Sequence, residues 1–310
     1  MNATTFKRMT VFKTPWLLLP ASAEGLSLAT IIHWIFRISC AGTYIGHGVH
    51  GVVTTQAWLP YFAVTHIGPD AAYPLMRIIG ALDITFGLLI LIKPLRVLML
   101  HLTIWGIWTA LLRPLAGEGW WEFLVRAGNY GVPFAFLIYS GGGKSIKDWF
   151  SRIQAPELTE DRIQKLKLVL RLTIGLLLIG HGGFGAFMHK EMLIKQFASV
   201  GLPGSLMNPN AFLTLAGWFE IALGVSVLVK PLRPILLLVF FWKVFTELLY
   251  PISGIPVYPF PGYVAIACIA RIGSLAAPLG LFILMTYGPN PHRIRMHSAA
   301  VPAGSASAVR

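Results

Sequence analysis

The sequence predicts an all-α membrane protein with eight transmembrane helices, arranged as two four-helix bundles. Of the 310 residues, 55% are hydrophobic and 12% are charged, whereas soluble domains carry about 25% charged residues. Eight apolar stretches approach the length of about 20 residues that a helix needs to cross a bilayer. The two halves of the chain also repeat the same polar residues in the same order.

The eight stretches follow one another with few long connections. Between the second and third, and again between the sixth and seventh, the chain reads KPLR, at 93–96 and 230–233. A proline beside basic residues favours a tight turn at the membrane surface. We therefore predict spans at 31–53, 74–93, 95–114, 121–141, 168–188, 210–230, 232–250 and 262–287.

The basic residues predict the orientation. Eighteen of the twenty-five lysines and arginines fall in segments on one side of this arrangement, and four on the other. Basic residues concentrate in cytoplasmic loops, so we expect both termini to be cytoplasmic in a bacterial inner membrane. The net charge of +13 then reflects basic residues on the cytoplasmic side of the lipid bilayer, which is the expected partner. It does not indicate that the protein binds nucleic acid.

The internal repeat is carried by polar motifs. GALDITFGLLILIKPLR (80–96) aligns with GWFEIALGVSVLVKPLR (217–233), IGHGVHG (45–51) with IGHGGFG (179–185), and RAGNYGVP (126–133) with RIGSLAAP (271–278). Four spans in each half predict parallel repeats. We therefore divide the chain into a cytoplasmic segment, a repeat, a linker, a second repeat and a flexible cytoplasmic tail, at 1–30, 31–141, 142–167, 168–287 and 288–310.

These motifs resemble the DoxX-like family of small bacterial membrane proteins. Each half has a His-Gly late in its first helix, a G-x-x-[DE] motif in its second and an arginine in its fourth. The resemblance covers nearly everything except the termini and the linker. It implies a four-helix fold for each repeat. Because some members are subunits of thiosulfate:quinone oxidoreductase, it also implies a link to quinone chemistry.

Counting 1.5 Å per residue from the surface turns predicts one polar cluster in the outer half of each bundle. On the second helix of each half the acid lies between two glycines at i, i+3, i+7 spacing, which predicts that it faces another helix. The second half adds Lys243 and Glu247 where the first has Gly106 and Ala110. The first cluster is His47, Asp83, Thr109 and Arg126, and the second is His181, Glu220, Thr246 and Arg271.

Charged groups in hydrocarbon need partners. We predict that Asp83 pairs with Arg126, and Glu220 with Arg271. Such pairs are either locks between helices, or sites where the arginine holds a carbonyl or an anion while the acid relays protons. Lys243 and Glu247 are either a self-satisfied helical pair or functional residues. Because only the second half gained charge, the sequence favours it as the working half.

The histidines leave similar alternatives. His47 and His181 either bond a backbone carbonyl at a close helix contact or hydrogen-bond a quinone. Haem is disfavoured, because the first half offers only His101 as a second ligand. No E-x-x-H metal motif occurs, and Cys40 and Cys268 form no CxxC pair.

The outer loops are half apolar, which predicts short amphipathic lids at 54–74 and 189–210, and a docking or gate loop at 250–263. The family resemblance implies a membrane subunit of a quinone-linked redox system, with quinone as ligand and a partner subunit. A cationic donor, a histidine and an acid at one depth suit the same chemistry. The alternatives are a scaffold of a larger membrane complex and a small-solute transporter. No catalytic motif identifies an enzyme.

Overall fold

The computed structural model describes residues 26–254 and 263–288, and this part of the chain is all-helical. Six of its helices are long and apolar enough to cross a membrane, so the protein is a multi-pass membrane protein. The six are α1 (Leu28–Val53), α3 (Pro69–Ile92), α4 (Arg96–Leu115), α8 (Glu160–Ala186), α10 (Pro209–Val229) and α11 (Arg233–Ser253). The shorter helices are α2 (Leu59–Ala63), α5 (Trp121–Leu124), α6 (Ala127–Tyr139), α7 (Ile146–Trp149), α9 (Glu191–Ala198), α12 (Tyr263–Ala270) and α13 (Ile272–Tyr287).

The last predicted span of each half is divided in two. α5 and α6 replace the continuous helix predicted at 121–141, and α12 and α13 replace the one predicted at 262–287. The interruptions fall at Arg126 and Arg271, whose carbonyls accept from Asn129 N (2.8 Å) and Ser274 N (3.0 Å). These i→i+3 bonds are tighter than the α-helical pattern. Each of these two predicted spans therefore contains two helices that meet at an arginine.

α1 and α8 are the central helices, and each packs on the divided helices of the opposite half. Gly46 lies so close to Ala270 that a Cβ would overlap its backbone, and Gly180 approaches Val125 in the same way. Gly128 and Gly273 face each other between them, where a Cβ on Gly128 would lie 3.3 Å from the carbonyl carbon of Gly273. Small residues permit this close backbone approach.

Within each half, a second glycine contact joins the first two long helices. A Cβ on Gly80 would stand 2.5 Å from the carbonyl oxygen of Gly48, and a Cβ on Gly182 would stand 2.5 Å from that of Gly217. The acids on these faces are buried: Asp83 is 7% exposed and Glu220 is 3% exposed. The glycine spacing therefore turns each acid towards a neighbouring helix.

Arginines cap the helix ends at the KPLR turns. The Arg37 guanidinium donates to the carbonyls of Ile90 (3.0 Å), Leu91 and Ile92 (3.0 Å), which end α3. A cation at a helix C-terminus satisfies free carbonyls and complements the helix dipole. The aligned and neighbouring arginines bond in the same manner: Arg171 to Val229 O (3.0 Å), Arg96 to Ser140 O (3.2 Å) and Arg233 to Met285 O (2.7 Å).

The linker is partly structured. Ser145 and Asp148 form a reciprocal capping box at the start of α7, and the hydrogen bond from Ser145 lowers the pKa of Asp148. Ile153 N then bonds Pro94 O at 2.8 Å, which ties the linker to the first KPLR turn. Most of the N-terminal segment, most of the predicted gate loop and nearly all of the C-terminal tail lie outside the described residues.

Candidate functional site

A cavity of about 350 Å³ lies in the first half, between α1, α3, α4 and the start of α6. All four polar residues predicted for this half line it. Three tryptophans and several other apolar side chains form most of the remaining wall. The lining is Thr43, Tyr44, His47, Trp58, Tyr61, Phe62, Thr65, Ile67, Ile79, Asp83, Trp105, Gly106, Trp108, Thr109, Leu112, Arg113, Arg126 and Asn129.

The predicted lid covers one side of this cavity. A 3₁₀ turn (Gln56–Trp58) and α2 bring Trp58, Tyr61 and Phe62 into its wall. The Tyr61 hydroxyl donates to Glu118 and accepts from Arg113, whose guanidinium also lies 4.1 Å from the centre of the tyrosine ring. Burial raises the pKa of Tyr61, so the hydroxyl keeps its proton. One tyrosine thus fastens the lid to an ion pair at the end of α4.

The acidic side of the cavity is formed by α1 and α3. Asp83 is buried, and the Trp105 side chain lies beside it in the cavity wall. His47 Nδ1 lies 2.7 Å from the Thr43 carbonyl. A carbonyl only accepts, so Nδ1 carries the proton, and Nε2 of a neutral His47 is an acceptor. Both residues therefore offer acceptor atoms at the cavity wall.

The cationic side is formed by Arg126, at the interruption between α5 and α6. Its guanidinium lies 2.5 Å from the Glu122 carboxylate and also donates to the Glu122 carbonyl at 2.7 Å. Lys190, from the second half, pairs with the same carboxylate. The prediction that Arg126 pairs with Asp83 was therefore wrong. Glu122, which lies one helical turn before Arg126 in the same segment, binds this arginine instead.

In the second half the aligned histidine has a different partner. His181 Nδ1 lies 2.6 Å from Glu220, and Trp242 Nε1 donates to the other oxygen of that carboxylate at 2.5 Å. Glu220 is thus held by two side chains on two helices. His47, by contrast, bonds its own helix, so the two halves share the residue but not its contact.

Arg271 of the second cluster forms one group with Lys243 and Glu247, of which Lys243 is buried and the other two are partly exposed. Lys243 Nζ lies 3.1 Å from Glu247, and Arg271 Nε lies 3.5 Å from the same carboxylate. Ser274 donates to Glu247 at 3.0 Å, and Thr246 donates to the Lys243 carbonyl at 3.2 Å. The predicted pairing of Glu220 with Arg271 was therefore wrong. Glu247 binds this arginine, because it lies on the neighbouring helix α11 and carries its own lysine one turn away.

The two halves use these aligned residues differently. In the first half, the described residues leave an open cavity bounded by His47, Asp83 and Arg126. In the second half, His181 binds Glu220, and Arg271 binds Glu247. A separate pocket there, also about 350 Å³, is lined only by apolar side chains beneath α9: Phe197, Leu202, Phe212, Leu215, Ala216, Phe219, Trp242 and Phe245.

Several residues at the first site escaped the sequence reasoning. Arg113 was counted only as an outer-loop charge, and Tyr61 lay in a segment known only to be half apolar. Glu118 and Glu122 gave a usable signal, because two acids stand within ten residues of Arg113 and Arg126. Asn129 was visible only as part of the repeated RAGNYGVP motif.

No group of three or more histidine, cysteine or acidic side chains within the described residues could hold a metal ion. No family model, curated protein or solved structure matches the chain. The candidate site therefore rests on its own geometry: a cavity with aromatic walls that two guanidiniums, a carboxyl and an imidazole also line.

Proposed function

We propose that the protein binds a quinone headgroup in the first-half cavity, as the membrane subunit of a quinone-linked redox system in a bacterial inner membrane. The observation that carries this proposal is the joint presence of aromatic walls, cationic donors and acceptor groups around one cavity of about 350 Å³. Small-molecule sites are concave, largely apolar and equipped with a few oriented polar groups.

The chemistry of a quinone fits these groups. A flat ring packs well against indole faces, which Trp58, Trp105 and Trp108 supply. A ring carbonyl accepts hydrogen bonds from a guanidinium such as that of Arg126. A buried carboxyl and a neutral imidazole can exchange protons with a ring oxygen when its charge changes.

The packing supports the tandem duplication on which the assignment of corresponding residues depends. Gly46 contacts Ala270 while Gly180 contacts Val125, which is the reciprocal pattern expected of two related units around a two-fold axis. The arginine caps at aligned positions support the same conclusion. We extend the proposal to eight spans with both termini cytoplasmic. Single cysteines at Gly68 and Ala303 should then be labelled by an impermeant reagent from opposite sides.

The direct test is quinone content and binding. The protein purified in mild detergent should carry quinone detectable by mass spectrometry of its extract, and it should bind a short-chain quinone with quenching of tryptophan fluorescence. Thr109→Leu should abolish binding, because the larger side chain occupies the cavity. Thr85→Leu is the matched control, since Thr85 is exposed and bonds only its own helix. Equal binding by both variants would refute the site.

The same preparation tests for the partner subunit that the proposal includes. A stoichiometric redox protein should copurify with the wild-type chain. A stoichiometric partner that lacks any redox group, found together with a protein that binds no quinone, would instead favour the scaffold alternative.

A further inference from the structure

The two halves differ most where the first half has its cavity. Lys243 stands at the position of Gly106, and Glu247 at that of Ala110. Gly106 lines the cavity, whereas Lys243 is 2% exposed and extends its ammonium towards Glu247. At this depth, therefore, side chains of the second half fill the region that corresponds to the cavity of the first half.

The contacts of this pair are specific. The Lys243 ammonium lies 3.1 Å from Glu247 and is close enough to Glu220 to act on it electrostatically. The Glu247 carboxylate contacts Arg271 and Ser274. Each of these surrounding residues has an aligned counterpart in the wall of the first cavity. Glu220 corresponds to Asp83, Arg271 to Arg126, and Ser274 to Asn129.

We infer that the Lys243 and Glu247 side chains occupy, in the second half, the place that a ligand occupies in the cavity of the first half. We call this pair the built-in counterpart of the ligand. The lysine places a cationic donor group near the acid that both halves carry on their second helix, and the glutamate presents an acceptor to the arginine position. The ligand of the first cavity then presents a donor to Asp83 and an acceptor to Arg126 and Asn129. This inference rests on the proposed function and narrows it to the reduced, quinol form.

The preference follows from donor and acceptor inventories. A quinone has only acceptor oxygens, so an oxygen that faces the ionised form of Asp83 makes no hydrogen bond with it. A quinol has a hydroxyl at each end of the ring, which donates to the carboxylate at one end and accepts from the guanidinium at the other. An unmade hydrogen bond in a buried site costs about 1–3 kcal/mol, which corresponds to roughly a tenfold or larger difference in affinity.

The test uses redox-inert probes, so that no oxidation obscures binding. Heptyl para-hydroxybenzoate carries a phenol donor at one end and an ester acceptor at the other, whereas heptyl para-methoxybenzoate lacks the donor. The hydroxy ester should bind about tenfold more tightly or better, and Asp83→Leu should remove the difference. Because Asp83→Leu risks misfolding, Asp83→Asn serves as a second variant that should narrow the preference. Asp70→Asn, on the exposed first turn of α3, should preserve it.

A second, independent experiment removes the Lys243 and Glu247 side chains, which are the built-in counterpart. Lys243→Gly combined with Glu247→Ala should open a second site and add a second equivalent of bound hydroxy ester. If the two esters and a short-chain quinone bind equally to the wild-type protein, the inference fails while the headgroup site stands. If the double variant folds and binds no additional ester, the inference also fails. If none of the three compounds binds the wild-type protein, the proposed function itself fails.

Discussion

The ammonium of Lys190, in the second half, pairs with the buried carboxylate of Glu122, in the first. The same carboxylate holds Arg126 at 2.5 Å, and Arg126 lines the cavity. The second half thus contributes a charge to the residues that position the cationic wall of the first. Through this ion pair, the second half helps to position a residue that lines the cavity of the first half.

Removing the shared carboxylate should be more harmful than removing either cation. Glu122→Gln leaves two cations without their common partner and should lower the free energy of unfolding by about 3–5 kcal/mol, the usual result of breaking a buried pair. Lys190→Met leaves the Arg126 pair intact and should cost less. The measurement is thermal or denaturant unfolding in detergent.

Lys195→Met is the control for this comparison. Lys195 pairs with Glu191 on the exposed side of α9, and exposed pairs contribute about 0–1 kcal/mol. A Glu122→Gln protein as stable as Lys195→Met would contradict the shared-carboxylate arrangement.

Double-mutant cycles should locate the partner of Arg271. The pair Glu247→Gln with Arg271→Ala should be coupled by about 0.5–3 kcal/mol, as contacting residues are. The pair Glu220→Gln with Arg271→Ala should show clearly weaker coupling, because His181 and Trp242 hold Glu220. Stronger coupling in the second cycle would restore the pairing that the sequence suggested.

The arginine caps should differ in strength although they occupy aligned positions. Arg37 is 4% exposed and donates to three carbonyls. Arg37→Ala therefore leaves one buried and two partly buried acceptors without this partner, at about 1.5–3 kcal/mol. Arg171 makes a single bond to Val229, and Arg171→Ala should cost about 1 kcal/mol or less. Equal losses in unfolding experiments would mean that burial does not govern these caps.

The lid should depend on one hydroxyl group. Tyr61→Phe removes the bonds to Glu118 and Arg113, and ligand affinity should fall about tenfold, as expected for losing a hydrogen bond to a charged group. Tyr130→Phe is a matched control, because the buried Tyr130 hydroxyl has no partner within the described residues. Comparable affinities for both variants, measured by titration, would show that the lid is not fastened by Tyr61.

Much of the fold followed from the sequence because apolar length and turn motifs are local signals. The KPLR turns separate α3 from α4 and α10 from α11, and the glycine spacing turns Asp83 and Glu220 inwards. The interruptions at Arg126 and Arg271 were not predicted, since hydropathy does not register a backbone turn inside an apolar segment.

The sequence also predicted which residues line the first site, but it did not predict which of them form ion pairs. Depth counting brought His47, Asp83, Thr109 and Arg126 to one level, and all four line the cavity. Which acid meets which arginine depends on side-chain reach across helices. Glu122 binds Arg126 from one turn away, and Glu247 binds Arg271 from a neighbouring helix. Helix depth alone predicts neither of these pairs.

The central claim is that the first half, and not the second, binds a quinone headgroup. Photoaffinity labelling of the purified protein with an azido-quinone, followed by peptide mapping, tests it most directly. We expect the label to fall on the segments that carry Trp58, Tyr61 and Trp105, and to be displaced by excess short-chain quinone. A displaceable label confined to the segments of His181, Lys243 and Arg271 would contradict it.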